Sequence, residues 1–307
     1  MKERAHDKTV LITGGTGLLG MGLLETIPEG YKVIPSYKSD FILGVYDGFN
    51  FHKFDITKKN EVSNAFDKIK PSCVIHAASI ANVDYCERNK NETYLVNVEG
   101  TKNILSLCKE YETKLIFTSS NAVFDGGSSP YLEESETSPV NYYGETKSIA
   151  EKLVKDADSD YVVARLILMY GWNHPNERKN PVTWLIEKLQ IDESVKLVSD
   201  TYTNPLFNIQ AARAIWRIIE RDYSGIYHIA GKDIVNRYEF AIKTAEVFGF
   251  NTNLIESVPS DYFSGIAKRM PNTTYITTKM ERELGVAPMS LDEGLSLMNE
   301  NPEKFKF

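Results

Sequence analysis

The sequence predicts an α/β fold in which a doubly wound parallel sheet is covered by helices on both faces. Six short runs rich in apolar and β-branched residues alternate with segments of helical periodicity through the first two-thirds of the chain. A glycine-rich turn joins the first of these runs to the first helix. Such alternation is typical of parallel sheets, because each strand must be connected to the next by a crossover helix.

The predicted elements follow one another in a regular order. The six strands are KTVLITG (8–14), YKVIPS (31–36), FHKFDI (51–56), SCVIHAA (72–78), KLIFTSS (114–120) and YVVARLI (161–167). Between them, the clearest helical patterns are GLLGMGLLETI, KNEVSNAFDKI, TYLVNVEGTKNILSLCKEY and GETKSIAEKLVKDA. Beyond residue 168 the alternation becomes irregular: NPVTWLIEKLQ and RYEFAIKTAEVFGF indicate amphipathic helices, and GIYHIAG indicates one more buried strand. We therefore expect a sheet domain over residues 1–167 and a smaller region over 168–307, with the strand near 225–230 returning to the sheet.

Composition and charge exclude several classes of protein. The chain has 307 residues, 42% hydrophobic and 25% charged, with a net charge of −7 and no basic run, so no nucleic-acid or anionic-membrane partner is expected. Three scattered cysteines (Cys73, Cys86 and Cys108) form no disulfide framework and no metal site. No apolar run is long enough for a signal peptide or a membrane span. We expect a cytoplasmic protein without a metal.

The first strand–helix junction carries glycines at Gly14, Gly17 and Gly20. Gly14 permits a tight turn, Gly17 lets the backbone approach a pyrophosphate, and Gly20 lets the helix and strand pack closely. The following helix N-terminus supplies free N–H groups for the phosphates. A glycine pattern alone is weak, but its place in a βαβ pattern favours a Rossmann-type dinucleotide site. The loop residues expected to contact the cofactor are Gly14, Thr16, Gly17, Leu18 and Leu19.

The end of the second strand bears on the choice of cofactor. In NAD sites an acidic residue there usually holds the ribose 2′-OH. This chain has Ser36, Tyr37 and Lys38 in that place, and Asp40 comes late. Ser36 and Lys38 could hold a 2′-phosphate that a carboxylate would repel, which favours NADPH, with NADH as the alternative. The competing interpretation is that Lys38 is a solvated loop lysine.

Two further motifs indicate carbonyl chemistry. The fifth strand ends in hydroxyl side chains at Thr118, Ser119 and Ser120, at the sheet edge where doubly wound folds bind ligands. Tyr143 and Lys147 are four residues apart on a predicted helix and so share a face. A neighbouring ammonium favours the phenolate, and such a tyrosine can protonate a developing alkoxide. Tyr-x-x-x-Lys is common by chance, but its order after the glycine loop and the hydroxyl-bearing strand end favours catalysis.

Together these stretches resemble the extended short-chain dehydrogenase/reductase superfamily, and within it the dTDP-4-dehydrorhamnose reductase-like family. The similarity covers nearly the whole chain, through LITGGTGLLG, FDIT, PSCVIHAASIANVDYCE, NVEGTKNI, ARLILMYG, GIYHIAG and RMPNTTYITTKM. The most specific part runs from Ser119 to Lys152. The resemblance implies an NAD(P)H-dependent reductase of a nucleotide-activated 4-keto-6-deoxysugar, with a homodimer as the family expectation.

The resemblance also implies roles for single residues. Ser120 orients the substrate carbonyl, Tyr143 is the general acid, and Lys147 binds the nicotinamide ribose and depresses the pKa of the tyrosine. Further cofactor contacts are implied for Asp55, Ile56, Ala77, Ala78 and Ser79, with Asn97 supporting the site from its helix. Tyr142 falls outside the catalytic position and is assigned to packing or to a substrate wall.

The substrate side departs from the family pattern. Asn121 and Ala122 stand where the family often has Asp-Tyr, and Leu168 stands in place of a common tryptophan. RMP at Arg269–Pro271 replaces the RP of the C-terminal motif. We assign Asn121, Leu168 and Arg269 to the substrate side, with Arg269 facing either a nucleotide diphosphate or solvent. These changes weaken the case for dTDP-4-dehydrorhamnose itself.

Two rival functions stay open. The chain also resembles the regulatory β subunit of methionine adenosyltransferase, which retains the fold and acts by binding a partner, and RLILMYG and RYEFAIKTAEVF fit that branch as well. An epimerase or dehydratase is the third candidate. A dehydratase normally needs an acidic pair beside the serine, which Asn121 and Ala122 do not provide.

Overall fold

The computed structural model describes residues 8–39, 48–157, 159–174, 178–263, 265 and 267–301. Its strands, in chain order, are β1 (Thr9–Thr13), β2 (Lys32–Tyr37), β3 (His52–Lys53), β4 (Cys73–His76), β5 (Lys114–Ser120), β6 (Tyr161–Leu166), β7 (Met169–Tyr170), β8 (Val195–Val198), β9 (Tyr202–Thr203), β10 (Leu206–Phe207), β11 (Gly225–Ile229), β12 (Val235–Asn236) and β13 (Ile255–Val258). Its α-helices are α1 (Leu18–Glu25), α2 (Lys59–Ile69), α3 (Val83–Arg88), α4 (Lys90–Tyr94), α5 (Gly100–Glu110), α6 (Tyr142–Asp156), α7 (Pro181–Gln190), α8 (Asn208–Glu220), α9 (Arg237–Phe248) and α10 (Leu291–Glu300).

The central sheet has seven parallel strands in the order β11-β6-β5-β4-β1-β2-β3. The order reverses between β1 and β4, which is the switch point where doubly wound sheets bind ligands beyond the carboxyl ends of their strands. The expected α/β class and Rossmann-type parallel sheet are confirmed.

Alternation along the strands distributes the core between two helical layers. Val10 and Ile12 of β1 face a cluster that includes α1 and α8, whereas Leu11 faces the opposite cluster, built on α2, α5 and α6. Successive side chains of a strand point to opposite faces. Both faces of β1 are therefore buried, which explains the continuous apolar run in its sequence.

The region after residue 168 divides between the sheet and a smaller cap. β11 extends the central sheet beside β6, and α8 packs in the same apolar cluster as α1. The cap has its own clusters, formed by α7, α9 and α10, and three two-stranded pairs, β10–β7, β12–β9 and β13–β8. The division at residue 167 stays a prediction.

Local signals define where the cap helices begin. Asn180 caps α7 through a reciprocal capping box, with Pro181 at the first helical position. Asn236 and Glu239 form the equivalent box on α9, which ends at Gly249 with a φ of 73°. Among the described residues, no helix is long and apolar enough to cross a membrane.

Candidate functional site: a dinucleotide cradle beside a Ser-Tyr-Lys cluster

The glycine loop after β1 requires its glycines for steric reasons. Gly14 has a φ of 68°, and a Cβ there would lie 2.9 Å from the backbone nitrogen of Ala78. Gly17 donates its N–H to the carbonyl of Gly14 at 3.1 Å and forms the N-cap of α1 without a side-chain cap. A Cβ on Gly20 would lie 2.3 Å from the carbonyl oxygen of Gly15. The helix N-terminus thus sits directly at the strand end, with Leu18 and Leu19 opening α1 and Thr16 buried in the loop.

Gly15 is a loop residue that the sequence pattern did not single out. Its N–H donates to the carbonyl of Ser36 at 2.9 Å, and a Cβ would lie 2.5 Å from that of Pro35. This contact joins the glycine loop to the end of β2, and it buries Ser36. The sequence signal for this contact of Gly15 is the doublet Gly14-Gly15, because two adjacent glycines indicate that both residues lie close to other backbone atoms.

Lys38 and Asp55 meet beyond the ends of β2 and β3. The Lys38 ammonium lies 3.1 Å from the Asp55 carboxylate, which also accepts hydrogen bonds from the backbone and hydroxyl of Thr57. Burial raises the pKa of Asp55, but these hydrogen bonds and Lys38 outweigh it, so the net pKa is lowered. The side chain of Ile56 packs on Gly100, where a Cβ would lie 2.7 Å from it. The structure brings these predicted cofactor residues together; Asp40 lies outside the described residues.

Asn97 holds the segment after β4 in place. Its amide accepts from the N–H of Ile80 at 2.8 Å, donates to the carbonyl of Ile80 at 3.0 Å, and donates to the Thr146 hydroxyl at 3.2 Å. It lies in a π-helical turn, Leu95–Glu99, inside the long helix that the sequence predicts. The half-buried residues Ala77, Ala78 and Ser79 precede Ile80 along the same segment. Asn97 therefore holds in place the segment 77–79, which is the predicted cofactor wall.

Ser120, Tyr143 and Lys147 come together at the carboxyl end of the sheet. Ser120 ends β5, and Asn141 caps α6 by accepting from the N–H of Gly144 at 2.9 Å. A Cβ on Gly144 would lie 2.0 Å from the carbonyl oxygen of Ala122, so glycine lets α6 approach the turn after β5. The Tyr143 phenol lies close enough to the Ser120 hydroxyl for that hydroxyl to lower its pKa. All three side chains are buried.

Burial moves the pKa values of the tyrosine and the lysine in opposite directions. Desolvation raises the pKa of Tyr143 to about 12, against the opposing effects of Ser120 and Arg178. Desolvation lowers the pKa of Lys147 to about 8, although Glu151 opposes the shift. In both cases burial penalises the charged form. In this structure burial of the phenol dominates its pKa, and the Lys147 ammonium donates to the carbonyl of Thr118 at 2.7 Å. The depression of the tyrosine pKa by Lys147 stays a prediction.

The three predicted substrate residues have different surroundings. Asn121 accepts from the Ser120 hydroxyl at 3.2 Å and donates to the Thr273 hydroxyl at 2.6 Å, so it joins the catalytic strand end to the C-terminal region. Leu168 packs against the apolar cluster of the cap. Arg269 pairs with Asp84 at 2.7 Å and remains 47% exposed, which ties the C-terminal loop to α3.

Tyr142, next to the predicted acid, faces α3 and α4. Its N–H donates to the Glu87 carboxylate at 2.8 Å, and the Lys90 ammonium lies 4.9 Å from the centre of its ring. These contacts are packing contacts around the start of α6. They leave Tyr143 as the tyrosine beside Ser120.

A cavity of about 360 Å³ lies between α7, β8 and α9. Aromatic side chains of Trp184, Phe240 and Phe263 line it together with the cations Lys196 and Arg237. Burial, with smaller effects from the Arg269 and Arg178 guanidinium groups, lowers the pKa of Arg237 to about 10. The sequence does not mark Arg237 and Trp184 as residues that line a cavity, because each lies in an amphipathic helix where the pattern indicates packing.

A match to a family model over most of the chain shows the family. The family model described as "RmlD substrate binding domain" matches residues 8–302. The chain belongs to this family. A dTDP-4-keto-6-deoxy-D-glucose reductase from Streptomyces niveus is 27% identical over 299 residues, covering 94% of this chain and 97% of that protein. The beta subunit of methionine adenosyltransferase 2 from Xenopus laevis is 28% identical over 287 residues, covering 90% and 82%.

Solved structures agree with this assignment. The crystal structure of dTDP-4-dehydrorhamnose reductase from Bacillus anthracis in complex with NADP is similar with a TM-score of 0.84 and 26% identity. The similarity covers 95% of this chain and 99% of that chain. The sequence resemblance to the dTDP-4-dehydrorhamnose reductase-like family is thereby confirmed.

Proposed function

We propose that this protein is an NADPH-dependent reductase of the keto group of a nucleotide-activated 4-keto-6-deoxysugar. The observation that carries the proposal is the buried Ser120, Tyr143 and Lys147 cluster at the carboxyl end of β5, together with a glycine loop after β1 that leads into a helix N-terminus. The reductase names of the relatives support the same reaction class. A cytoplasmic location and a homodimer stay predictions.

The residues of the cradle fit a nicotinamide dinucleotide. The uncapped start of α1 and the close backbone approach at Gly14 suit a pyrophosphate, and the wall from Ala77 to Ser79 borders the same loop. Lys38 is 58% exposed at the end of β2, where its ammonium suits a 2′-phosphate and favours NADPH over NADH. When bound, the cofactor supplies the hydride.

Tyr143 is the proton donor in this proposal. Its pKa near 12 keeps the phenol protonated at neutral pH, and the alkoxide that forms at the reduced carbon is a strong enough base to take that proton. The Ser120 hydroxyl orients the carbonyl oxygen toward the phenol. Lys147, bound to Thr118 behind Tyr143, places a positive charge beside the developing negative charge.

The cavity between α7, β8 and α9 suits the nucleotide end of such a substrate. Trp184 and Phe263 offer aromatic surfaces for a base, and Arg237 offers a guanidinium for a diphosphate. The charge of Arg178 lowers the pKa of both Tyr143 and Arg237. We assign the diphosphate to Arg237 rather than to Arg269, because Arg237 lines the cavity and Arg269 does not.

The test is a binding titration with NADPH and NADH, followed by a panel of dTDP- and UDP-linked 4-keto-6-deoxysugars. Loss of the reduced-nicotinamide absorbance with one member of the panel supports the proposal. An Arg237→Gln variant should raise KM for that sugar nucleotide and leave NADPH affinity unchanged. Tight NADPH binding without oxidation by any member of the panel would contradict the reductase function.

A second candidate is a dinucleotide-binding regulatory subunit. The similarity to the methionine adenosyltransferase beta subunit over 90% of this chain favours it. Its test is co-purification with a methionine adenosyltransferase catalytic subunit and a change in the activity of that enzyme. Retained partner binding in Tyr143→Phe, without keto-sugar reduction by the wild-type protein, would select this candidate.

A further inference from the structure

A buried histidine lies where the cofactor loop, the sheet and the helix behind the catalytic segment meet. His76, the last residue of β4, is 1% exposed. Its Nδ1 lies 2.7 Å from the hydroxyl of Thr13 on β1, and its Nε2 lies 3.1 Å from the hydroxyl of Thr101 on α5. The ring therefore connects the strand that enters the glycine loop with the helix on the opposite side of the site.

The neighbouring hydroxyls determine which nitrogen of His76 carries the proton. Thr101 donates its only hydroxyl proton to the carbonyl of Asn97 at 2.7 Å, so it accepts from Nε2–H. Thr13 accepts from the N–H of Ala78 at 3.2 Å and uses its own proton toward Nδ1. Burial, with a smaller effect from Lys147, lowers the pKa of the imidazole to about 3. His76 is neutral, with the proton on Nε2.

From Thr101 the hydrogen bonds continue to the catalytic helix. Thr101 is bonded to the carbonyl of Asn97, whose side-chain amide donates to the hydroxyl of Thr146 at 3.2 Å. Thr146 donates in turn to the carbonyl of Tyr143 at 2.8 Å. The hydroxyl protons of Thr101 and Thr146 each have one acceptor. In this series of hydrogen bonds every donor therefore lies on the His76 side and every acceptor on the α6 side.

The backbone of His76 is bonded to the lysine side of the site as well. Its carbonyl accepts the hydroxyl of Thr118 at 3.0 Å, and the carbonyl of Thr118 accepts the Lys147 ammonium. One residue thus contacts the strand of the glycine loop through Nδ1, the helix of Asn97 through Nε2, and the anchor of Lys147 through its main chain. Both ring nitrogens and the carbonyl of His76 are thus occupied by threonine hydroxyls.

We propose that His76 is a positioning residue, which as a neutral Nε2–H tautomer fixes the cofactor wall and the catalytic helix relative to each other. Its Nδ1 accepts from the Thr13 hydroxyl, which in turn accepts from the N–H of Ala78 in the segment that borders the glycine loop. Its Nε2 half holds Thr101 and, through Asn97 and Thr146, the backbone at Tyr143. The role in turnover rests on the proposed reductase function, whereas the tautomer and the effect on NADPH affinity do not.

The first arm of the test reads the tautomer in the wild-type protein by 15N-detected NMR of labelled histidine. His228 provides an internal control, because it is also fully buried, with its Nδ1 3.2 Å from the carbonyl of Tyr131 and its Nε2 3.3 Å from Arg165. A carbonyl and a guanidinium require the Nδ1–H form there. We expect opposite tautomers for His76 and His228. An Nδ1–H form of His76, or titration of His76 near the ordinary histidine pKa, would overturn the proposal.

The second arm separates the two halves of His76 by substitution. His76→Asn retains an acceptor toward Thr13 and loses the donor toward Thr101; we expect about tenfold lower kcat with NADPH affinity within about twofold. His76→Gln retains the donor toward Thr101 and loses the acceptor toward Thr13; we expect about tenfold weaker NADPH binding with kcat within about twofold. Equal changes of both parameters in both variants would indicate simple destabilisation and overturn the proposal.

Hydroxyl variants keep the test decisive if the histidine variants do not fold. Thr101→Val should lower kcat as His76→Asn does, and Thr101→Ser, which keeps the hydroxyl, should restore it. Thr13→Val and Thr13→Ser should act in the same way on NADPH affinity. Indistinguishable valine and serine variants would contradict the proposal. NADPH affinities and the tautomer are measured without a keto-sugar, so failure of the reductase function leaves these readings valid.

Discussion

The Lys147 ammonium donates to the carbonyl oxygen of Thr118 at 2.7 Å, and its nitrogen lies 4.7 Å from the centre of the Phe117 ring. The lysine is thus anchored to the main chain of β5, two residues before Ser120, while its helix carries Tyr143 one turn earlier. This anchor fixes the distance between strand end and helix. It also keeps a buried cation on the same face of α6 as the Tyr143 phenol.

The buried lysine gives the reaction a basic limb in its pH profile. Lys147 loses its charge as the pH rises through its lowered pKa of about 8, so turnover should fall there. The phenol of Tyr143, with its pKa raised to about 12, stays protonated across the same range. In Lys147→Arg the charge persists to higher pH, and the limb should move beyond that range. A limb near pH 8 that persists in Lys147→Arg would assign it to another group.

The same shift has a consequence for stability. The pKa of Lys147 is lower in the folded chain than in the unfolded chain, so the unfolded chain binds more protons between the two values. The contribution of Lys147 to the free energy of unfolding should therefore rise from about pH 8 toward the ordinary lysine pKa. Urea unfolding of wild type and Lys147→Met across this range measures it. A pH dependence identical in both proteins would contradict the shift.

Lys38 should select NADPH through the 2′-phosphate. Its ammonium is held by Asp55 at the end of β2 and is 58% exposed. Lys38→Gln should weaken NADPH binding about tenfold and leave NADH binding unchanged, with the difference shrinking at high salt. Lys32→Gln, at the opposite end of the same strand, is the matched control. Equal losses for NADPH and NADH would show that Lys38 does not contact the 2′-phosphate.

Glu151 of α6 and Arg165 of β6 form a buried ion pair. Two hydrogen bonds of 3.0 and 2.8 Å join them, and both side chains are 1% exposed. Arg165→Met leaves the Glu151 carboxylate buried without its partner and should lower the free energy of unfolding by about 3–5 kcal/mol. The exposed pair of Arg217 and Glu220 is the control, and Arg217→Met should cost less than about 1 kcal/mol. Similar costs at the two sites would contradict the burial argument.

The bridge from Ser120 through Asn121 to Thr273 should affect substrate turnover. Thr273→Val removes the acceptor at 2.6 Å from the Asn121 amide, which frees Asn121 to rotate away from Ser120. We expect about a fivefold lower kcat/KM for the keto-sugar with unchanged NADPH affinity. Thr273→Ser should restore most of the activity. Thr277→Val, at an exposed threonine bonded to Glu281, is the control.

Much of the sheet could be predicted because its central strands are buried on both faces. β1, β4 and β5 are apolar runs between turn residues, and all of their residues are buried. The shared helix face of Tyr143 and Lys147 could be predicted because a four-residue spacing on a helix is local. The position of Ser120 at the ligand-binding edge could be predicted because strand ends in parallel sheets converge.

Features that depend on tertiary contacts were missed. α8 was not assigned, since its buried start carries the polar residues Asn208 and Gln210, which donate to the carbonyls of Leu18 and Ala230. Hydrophobic periodicity does not reveal the π-helical turn around Asn97, whose side chain hydrogen-bonds to Ile80 and Thr146. The raised pKa of Tyr143 could not be predicted, since sequence spacing shows the lysine but not the burial of the phenol.

The most direct test of the central claim compares two adjacent tyrosines. Tyr143→Phe removes the proposed proton donor, whereas Tyr142→Phe alters a ring that packs beside Lys90. In steady-state assays with NADPH and the accepted keto-sugar, Tyr143→Phe should lose about 10²–10⁴-fold in kcat. Its NADPH dissociation constant should stay within about twofold of wild type, and Tyr142→Phe should keep most of its turnover. Comparable turnover in Tyr143→Phe and wild type would contradict the assignment of Tyr143 as the acid.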